Sequence, residues 1–223
     1  MLRRYFYIED LCDMSFTVDQ YDRYRTIQRE RKVSSMCKAI SQLHNMSAND
    51  LLVLCNQKHV IPVDLTAILK KLGISAIPFD FSNAEDNIRQ QFKANVQVLG
   101  AIATQGEHAA IFYNKKHQQD SHRSRFTIAH ELGHCCLNSA HLEGGKTHID
   151  CRIEGISPND DEIAANIFAG QLLIPEDGLY QTIKKLIMPS VHILAEIFDV
   201  SDNVMLKRLE YLNVKDRIAG YNF

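Results

Sequence analysis

Between Phe126 and Leu137 the chain reads Phe-Thr-Ile-Ala-His-Glu-Leu-Gly-His-Cys-Cys-Leu, which sets three ionisable side chains inside an otherwise apolar run. Phe126, Ile128/Ala129, Leu132 and Cys136/Leu137 recur at helical spacing, so a helix over roughly Ser121 to Leu137 is expected, and a buried one. Burying His130, Glu131 and His134 is costly unless each finds a partner. The fold must therefore bring a complementary group or an ion to this helix. Two histidines four apart on a helix are rotated by about 40° and separated by about 6 Å along the axis, so both imidazoles can converge on one ion. This is the HExxH pattern, and neutral imidazole is a good zinc ligand. Glu131 lies next to the first ligand, angled toward the same cleft, where it can take the proton from a water acidified by the zinc. Gly133 costs the helix about 1 kcal/mol relative to alanine. That cost is offset if another backbone must approach closely there.

A catalytic zinc usually has three protein ligands and one open position. His141 and His148 are available as the third, but His141 falls seven residues past His134, where the helix is ending. Position 137 is leucine and 140 alanine, so no HExxHxxGxxH pattern is present. Glu162 is the better candidate. With Ala165, Asn166 and Ala169 it forms a stripe at three- and four-residue spacing on a second helix. The small residues of that stripe let the second helix pack close to the first. Asp160 and Asp161 compete as acids, although dipole complementation at the helix start also accounts for them.

The rest of the chain is ordinary for a water-facing globular protein: 223 residues, 45% apolar, 23% charged and a formal net charge of −2. Nothing in that balance asks for nucleic acid or a membrane surface. No apolar run approaches a membrane span. Acidic residues interrupt the N-terminus before any signal-peptide core forms. The cysteines at 12, 37, 55, 135, 136 and 151 show no CxxC spacing. They read as reduced thiols, with the cytoplasm as the expected location.

Three parts follow from the pattern: a helical extension over 1–47, a catalytic core over 48–176 and a helical segment over 177–223. In the core, Ala48 to Gln57 is a short helix. Pro62 suits the first turn of another, Val63 to Leu72, which Gly73 ends. Ile74 to Phe79 reads as a strand. Val96 to Thr104 and His108 to Tyr113 form a hairpin around Gln105-Gly106-Glu107. Gly144-Gly145 to Gly155 reads as a loop. Ser157-Pro158-Asn159-Asp160 opens the second site helix, which Pro175 ends. The class is α+β, mostly helical, with a small antiparallel sheet and a C-terminal helical segment. An extended substrate is expected to add to the sheet edge near His108 to Tyr113.

Arg125-Phe126-Thr127-Ile128-Ala129-His130-Glu131-Leu132-Gly133-His134 resembles the signature of the ImmA/IrrE metallo-endopeptidases. So does Glu162-Ile163-Ala164-Ala165-Asn166-Ile167-Phe168-Ala169, followed by Leu172-Leu173-Ile174-Pro175. Pro62-Val63-Asp64-Leu65 and Leu72-Gly73-Ile74 resemble the family's lead-in. The resemblance spans about Ala48 to Leu212. It implies a minimal zincin-like core of the gluzincin type, with Glu162 as third ligand. It also implies a cytoplasmic enzyme that cleaves a helix-turn-helix repressor or an antitoxin, relieving repression in a mobile-element or stress-response system. Asn138 stands where many relatives carry histidine, which touches no expected ligand.

Other signals carry less. Leu194 to Ser201, with Val204 and Leu209, imitates a helix-turn-helix. Its would-be recognition helix offers only Lys207 and Arg208, opposed by Asp202 and Glu210, so direct DNA binding is not expected. Tyr113 and His148 are candidates to stabilise an oxyanion, though a strand-end aromatic and a solvated loop histidine account for them better. The competing function is a non-catalytic metal-binding regulator that engages a repressor or DNA through its helices. A fourth protein ligand would favour that reading, because structural zinc sites are closed.

Overall fold

The computed structural model describes residues 6–7, 40–82, 85, 97–105, 108–117, 120–137, 148–154, 160–214 and 218. Most of the N-terminal extension, Asn138, His141 and the Ser157-Pro158-Asn159 cap lie outside them.

Helix α1 (Ala48–Leu54) starts at a capping box in which the Ser47 side chain accepts from Asp50 N and the Asp50 carboxylate accepts from Ser47 N. Helix α2 (Leu65–Leu72) is capped by Asp64, which accepts from Ala67 N at 3.0 Å, and it ends on Gly73 at φ 70°. Pro62 therefore precedes the helix rather than occupying its first turn. The carboxylate cap satisfies a helix N–H that proline cannot.

Among the described residues five strands form one sheet: β1 (Phe6–Tyr7), β2 (Ser75–Phe79), β3 (Gln97–Gln105), β4 (His108–Asn114) and β5 (His148–Glu154). Their order is β1-β5-β3-β4-β2. The β3–β4 hairpin and the β3–β5 and β1–β5 pairs are antiparallel, whereas β2 runs parallel to β4. The sheet is thus mixed and wider than the antiparallel sheet expected from sequence. The hairpin turns β4 back into the direction of β2, and the pairing Ser75↔Ala110 to Phe79↔Asn114 fills that side of β4. This removes the edge expected to receive a substrate near His108 to Tyr113. The loop expected over Gly144 to Gly155 contains β5. Its alternation, with apolar residues at Ile149, Cys151 and Ile153, is a strand signal that the flanking glycines obscured.

Helix α3 (Ser121–Leu137) lies against β3 and β4 on one side and against α4 (Asp160–Leu173) on another. It is covered all round: Thr127 and every residue from Ala129 to Cys136 are buried. Three helices close the structure, α5 (Glu176–Lys185), α6 (Val191–Phe198) and α7 (Asp202–Tyr211). They share one apolar cluster with α1 to α4, in which Leu132, Leu172, Leu179, Phe198 and Leu209 are all fully enclosed.

The turn between α6 and α7 puts Asp199 in the left-handed region at φ 53°, where glycine is the usual choice. Its carboxylate sits 3.3 Å from His122 Nε2 and 3.4 Å from Arg125 Nε, both on α3. The Arg125 guanidinium also donates to the Val63 carbonyl, tying the N-terminal lead-in, α3 and the C-terminal helices together. Arg208 is buried and its Nε donates to the Ile174 carbonyl at 3.1 Å. One of the two basic residues on the would-be recognition helix is therefore committed inward. No helix among the described residues is long and apolar enough to cross a membrane.

Candidate metal centre

Helix α3 carries His130 and His134 on the face that meets α4, and α4 carries Glu162 in its first turn. The three side chains meet at one point. His130 Nε2 lies 3.0 Å from His134 Nε2 and 3.3 Å from Glu162 Oε2, and His134 Nε2 lies 3.2 Å from Glu162 Oε1. Two imidazole nitrogens and a carboxylate are a donor set that could hold a divalent metal ion. Donors about 2.1 Å from a tetrahedral centre stand about 3.4 Å apart, so the observed spacing fits an ion to within a few tenths of an ångström. Among the described residues these three form the only such group, and no fourth ligand joins them. Asp160 and Asp161, in the same first turn, are not members, and the side chain of His148 and all of His141 lie outside the described residues.

The group is largely enclosed. His130 and Glu131 are 0% exposed and His134 5%, while the Glu162 side chain is 21% exposed, so the site opens to solvent beside Glu162. Burial alone would push the Glu162 carboxyl up. Hydrogen bonds from His130 and His134, and their charge, outweigh it and hold the carboxyl well below the usual range. Glu162 is therefore an anionic donor throughout the range in which histidines titrate.

Two glycines make the geometry possible. At Gly133 an added Cβ would lie 3.2 Å from both Cα and O of Ala165 and 3.3 Å from Phe168 Cβ. The α3–α4 contact that carries Glu162 to the histidines thus passes through Gly133, as the missing side chain suggested. Ala165 and Ala169, the small residues of the α4 stripe, are fully buried at this seam. Gly133→Ala gains about 1 kcal/mol of helix propensity against about 1–3 kcal/mol of overpacking. The nearest atoms are backbone, so no rotamer change relieves the clash. The expected outcome is a lower Tm together with weaker metal retention, because α4 must move and takes Glu162 with it. Thermal melts of apo protein and metal titration check this. A more stable variant with unchanged metal affinity would show that the helices are not in forced contact.

Gly100 was not singled out from sequence. A Cβ there would come 2.4 Å from Thr127 Cγ2 and 3.0 Å from Glu131 Oε1. The strand has to be bare at this point for the Glu131 carboxylate to fit between α3 and the sheet. A bulge precedes it: Val98 pairs with Ile153 and Gly100 with Arg152, leaving Leu99 extra. A glycine inside an apolar strand is the signal that could have found it. Tyr113 pairs directly across from Gly100 and so shares the sheet face that carries α3.

The cysteines beside the second histidine are buried as free thiols. Burial pushes the Cys136 thiol up to about 12, with Cys55 adding to the effect. Burial, then Cys136 and Glu131, raises Cys135 well above its ordinary value. Burial thus disfavours the thiolate at both positions.

Compared with known proteins, residues 70–210 match the model of a peptidase family described as the IrrE N-terminal-like domain. No curated protein and no solved structure matches the chain.

Proposed function

The chain belongs to the peptidase family of the IrrE N-terminal-like domain, and on that premise we propose that it is a zinc-dependent endopeptidase in which His130, His134 and Glu162 hold the metal and Glu131 is the general base. The observation that carries this reading is the convergence of two imidazole nitrogens and one carboxylate within 3.0–3.3 Å of one another, with a fourth ionisable group, Glu131, enclosed on the same helix. A bound zinc supplies a Lewis acid for the scissile carbonyl and acidifies the attacking water. Glu131 takes the proton from that water and delivers it to the leaving amine. A closed structural site needs no carboxylate in that slot, which weighs against the non-catalytic regulator.

The substrate is a protein, and its backbone must be extended to reach the site. Because β4 is paired on both sides, the edge assigned to it is the outer side of β5, where, among the described residues, β1 pairs with only His148 and Ile149. Gly100, over which Glu131 sits, pairs with the other side of β5. A strand added there lies about two strand spacings, roughly 10 Å, from β3. Ile163 and Ile167 are exposed and join Phe126 and Val204 in a groove of about 680 Å³ that Arg123 and Lys207 also line. The groove suits an apolar side chain of the same substrate.

From the family resemblance, the substrate is assigned as a helix-turn-helix repressor or antitoxin in the cytoplasm, cut once in a loop or linker. Direct DNA binding is not part of the proposal, since Arg208 is spent on the Ile174 carbonyl. The test mixes zinc-loaded protein with the repressor encoded beside its gene and, separately, with casein, and maps products by mass spectrometry. One defined repressor cut with casein intact is expected. Broad casein digestion with an untouched repressor would overturn the substrate assignment and leave a general peptidase.

A further inference from the structure

His130 is held at both ends by one helix. Its Nε2 faces Glu162 Oε2 at 3.3 Å, and its Nδ1 lies 3.1 Å from Asn166 Oδ1. Glu162 and Asn166 are one helical turn apart on α4, so their side chains leave the same face. The ring itself is fully buried on α3. We infer that Asn166 is a positioning residue for the metal centre: its amide oxygen accepts the Nδ1–H of His130, which fixes the tautomer that presents the Nε2 lone pair to the ion.

The chemistry follows from the two nitrogens being distinct. A neutral imidazole carries one proton, and the hydrogen bond made at one nitrogen decides which nitrogen is left as donor to a metal. Without an acceptor at Nδ1, the proton can sit on Nε2, where it would point at the other ligands and block the site. An amide oxygen removes that alternative and locks the ring plane. It does so without adding charge, so the donor set stays at two neutral imidazoles and one carboxylate. An aspartate in its place would hold the same tautomer but add a negative charge beside the ligand, raising its basicity.

The helix register adds a mechanical consequence. Because α4 supplies both Glu162 and Asn166, the orientation of His130 relative to Glu162 is set within one helix. Asn166 thereby couples the α3 ligand to the α4 ligand.

This inference rests on the reading of His130, His134 and Glu162 as metal ligands, and the test separates the two. Zinc affinity of the full chain is measured by competition with a chromophoric chelator for the wild type, Asn166→Leu and Asn166→Asp. The His130 Nδ1–H of the zinc-loaded wild type and Asn166→Leu is read from its imidazole 15N shifts and its exchange with solvent. Loss of a hydrogen-bonding partner behind a ligand typically weakens metal binding about 10–100-fold, and that loss is expected for Asn166→Leu. Asn166→Asp is expected within a few-fold of the wild type, and the His130 Nδ1–H of Asn166→Leu is expected at a changed shift and in faster exchange. If Asn166→Leu does not fold, the same readings of the aspartate variant decide the matter. Wild-type zinc affinity in Asn166→Leu, with only a lower Tm, would reduce Asn166 to a packing residue and overturn the inference. A His130 Nδ1–H whose shift and solvent exchange in the zinc-loaded protein are the same in Asn166→Leu as in the wild type would overturn it as well. A wild type that binds no zinc would overturn the metal reading and this inference together.

Discussion

Glu131→Gln is expected to retain zinc at the wild-type stoichiometry and to lose cleavage by about 10²–10⁴-fold, the usual contribution of a positioned general base. On the rate scale that is about 3–5 kcal/mol of lost transition-state stabilisation. Zinc is retained because Glu131 is not among the three converging donors. Activity is lost because an amide cannot accept the proton from the attacking water. Glutamine is the right replacement because the carboxylate sits in a fully buried slot against Gly100, where a shorter side chain would leave a cavity and confuse the result. Metal content by atomic absorption and cleavage of the mapped substrate site provide the two readings. Equal zinc with undiminished proteolysis would remove Glu131 from the mechanism.

The second large effect is expected at Glu162. Glu162→Ala removes the only anionic donor of the group and leaves two neutral imidazoles, so zinc binding should weaken by more than the roughly 10–100-fold that accompanies loss of a partner behind a ligand. Proteolysis should vanish with the metal and return only in part at high zinc. The side chain is part-exposed at the mouth of the site, so the fold should survive the change. Circular dichroism of the apo variant and chelator competition check both statements. A Glu162→Ala protein that holds zinc as tightly as the wild type would mean that another residue is the third ligand.

The local features were legible because they are written in short-range spacing. The α3 span, the Gly73 cap, the β3–β4 hairpin and the i,i+4 histidine pair each depend on residues within a few positions of one another. The small residues of the α4 stripe pointed to a close helix contact for the same reason. Even β5 was readable in principle, since Ile149, Cys151 and Ile153 alternate, but the glycines around it drew the reading toward a loop.

What the chain alone determined is the chemistry on offer: two imidazoles aimed from one buried helix, a carboxylate beside them, and a second helix bearing a choice of acids. The tertiary structure decided which acid joins them, and why. Glu162 reaches the histidines because Gly133 lets α4 come within van der Waals distance of α3, and Asn166, one turn on, lies 3.1 Å from His130 Nδ1. It also decided that β2 pairs parallel with β4, which closes the edge expected to receive substrate. Periodicity reports which face of an element is buried, not which neighbour buries it. Strand order, helix docking and the partner of a buried carboxylate are set by contacts between residues tens of positions apart. Those contacts are selected by shape and by the cost of leaving polar groups unpaired, and no local pattern encodes them.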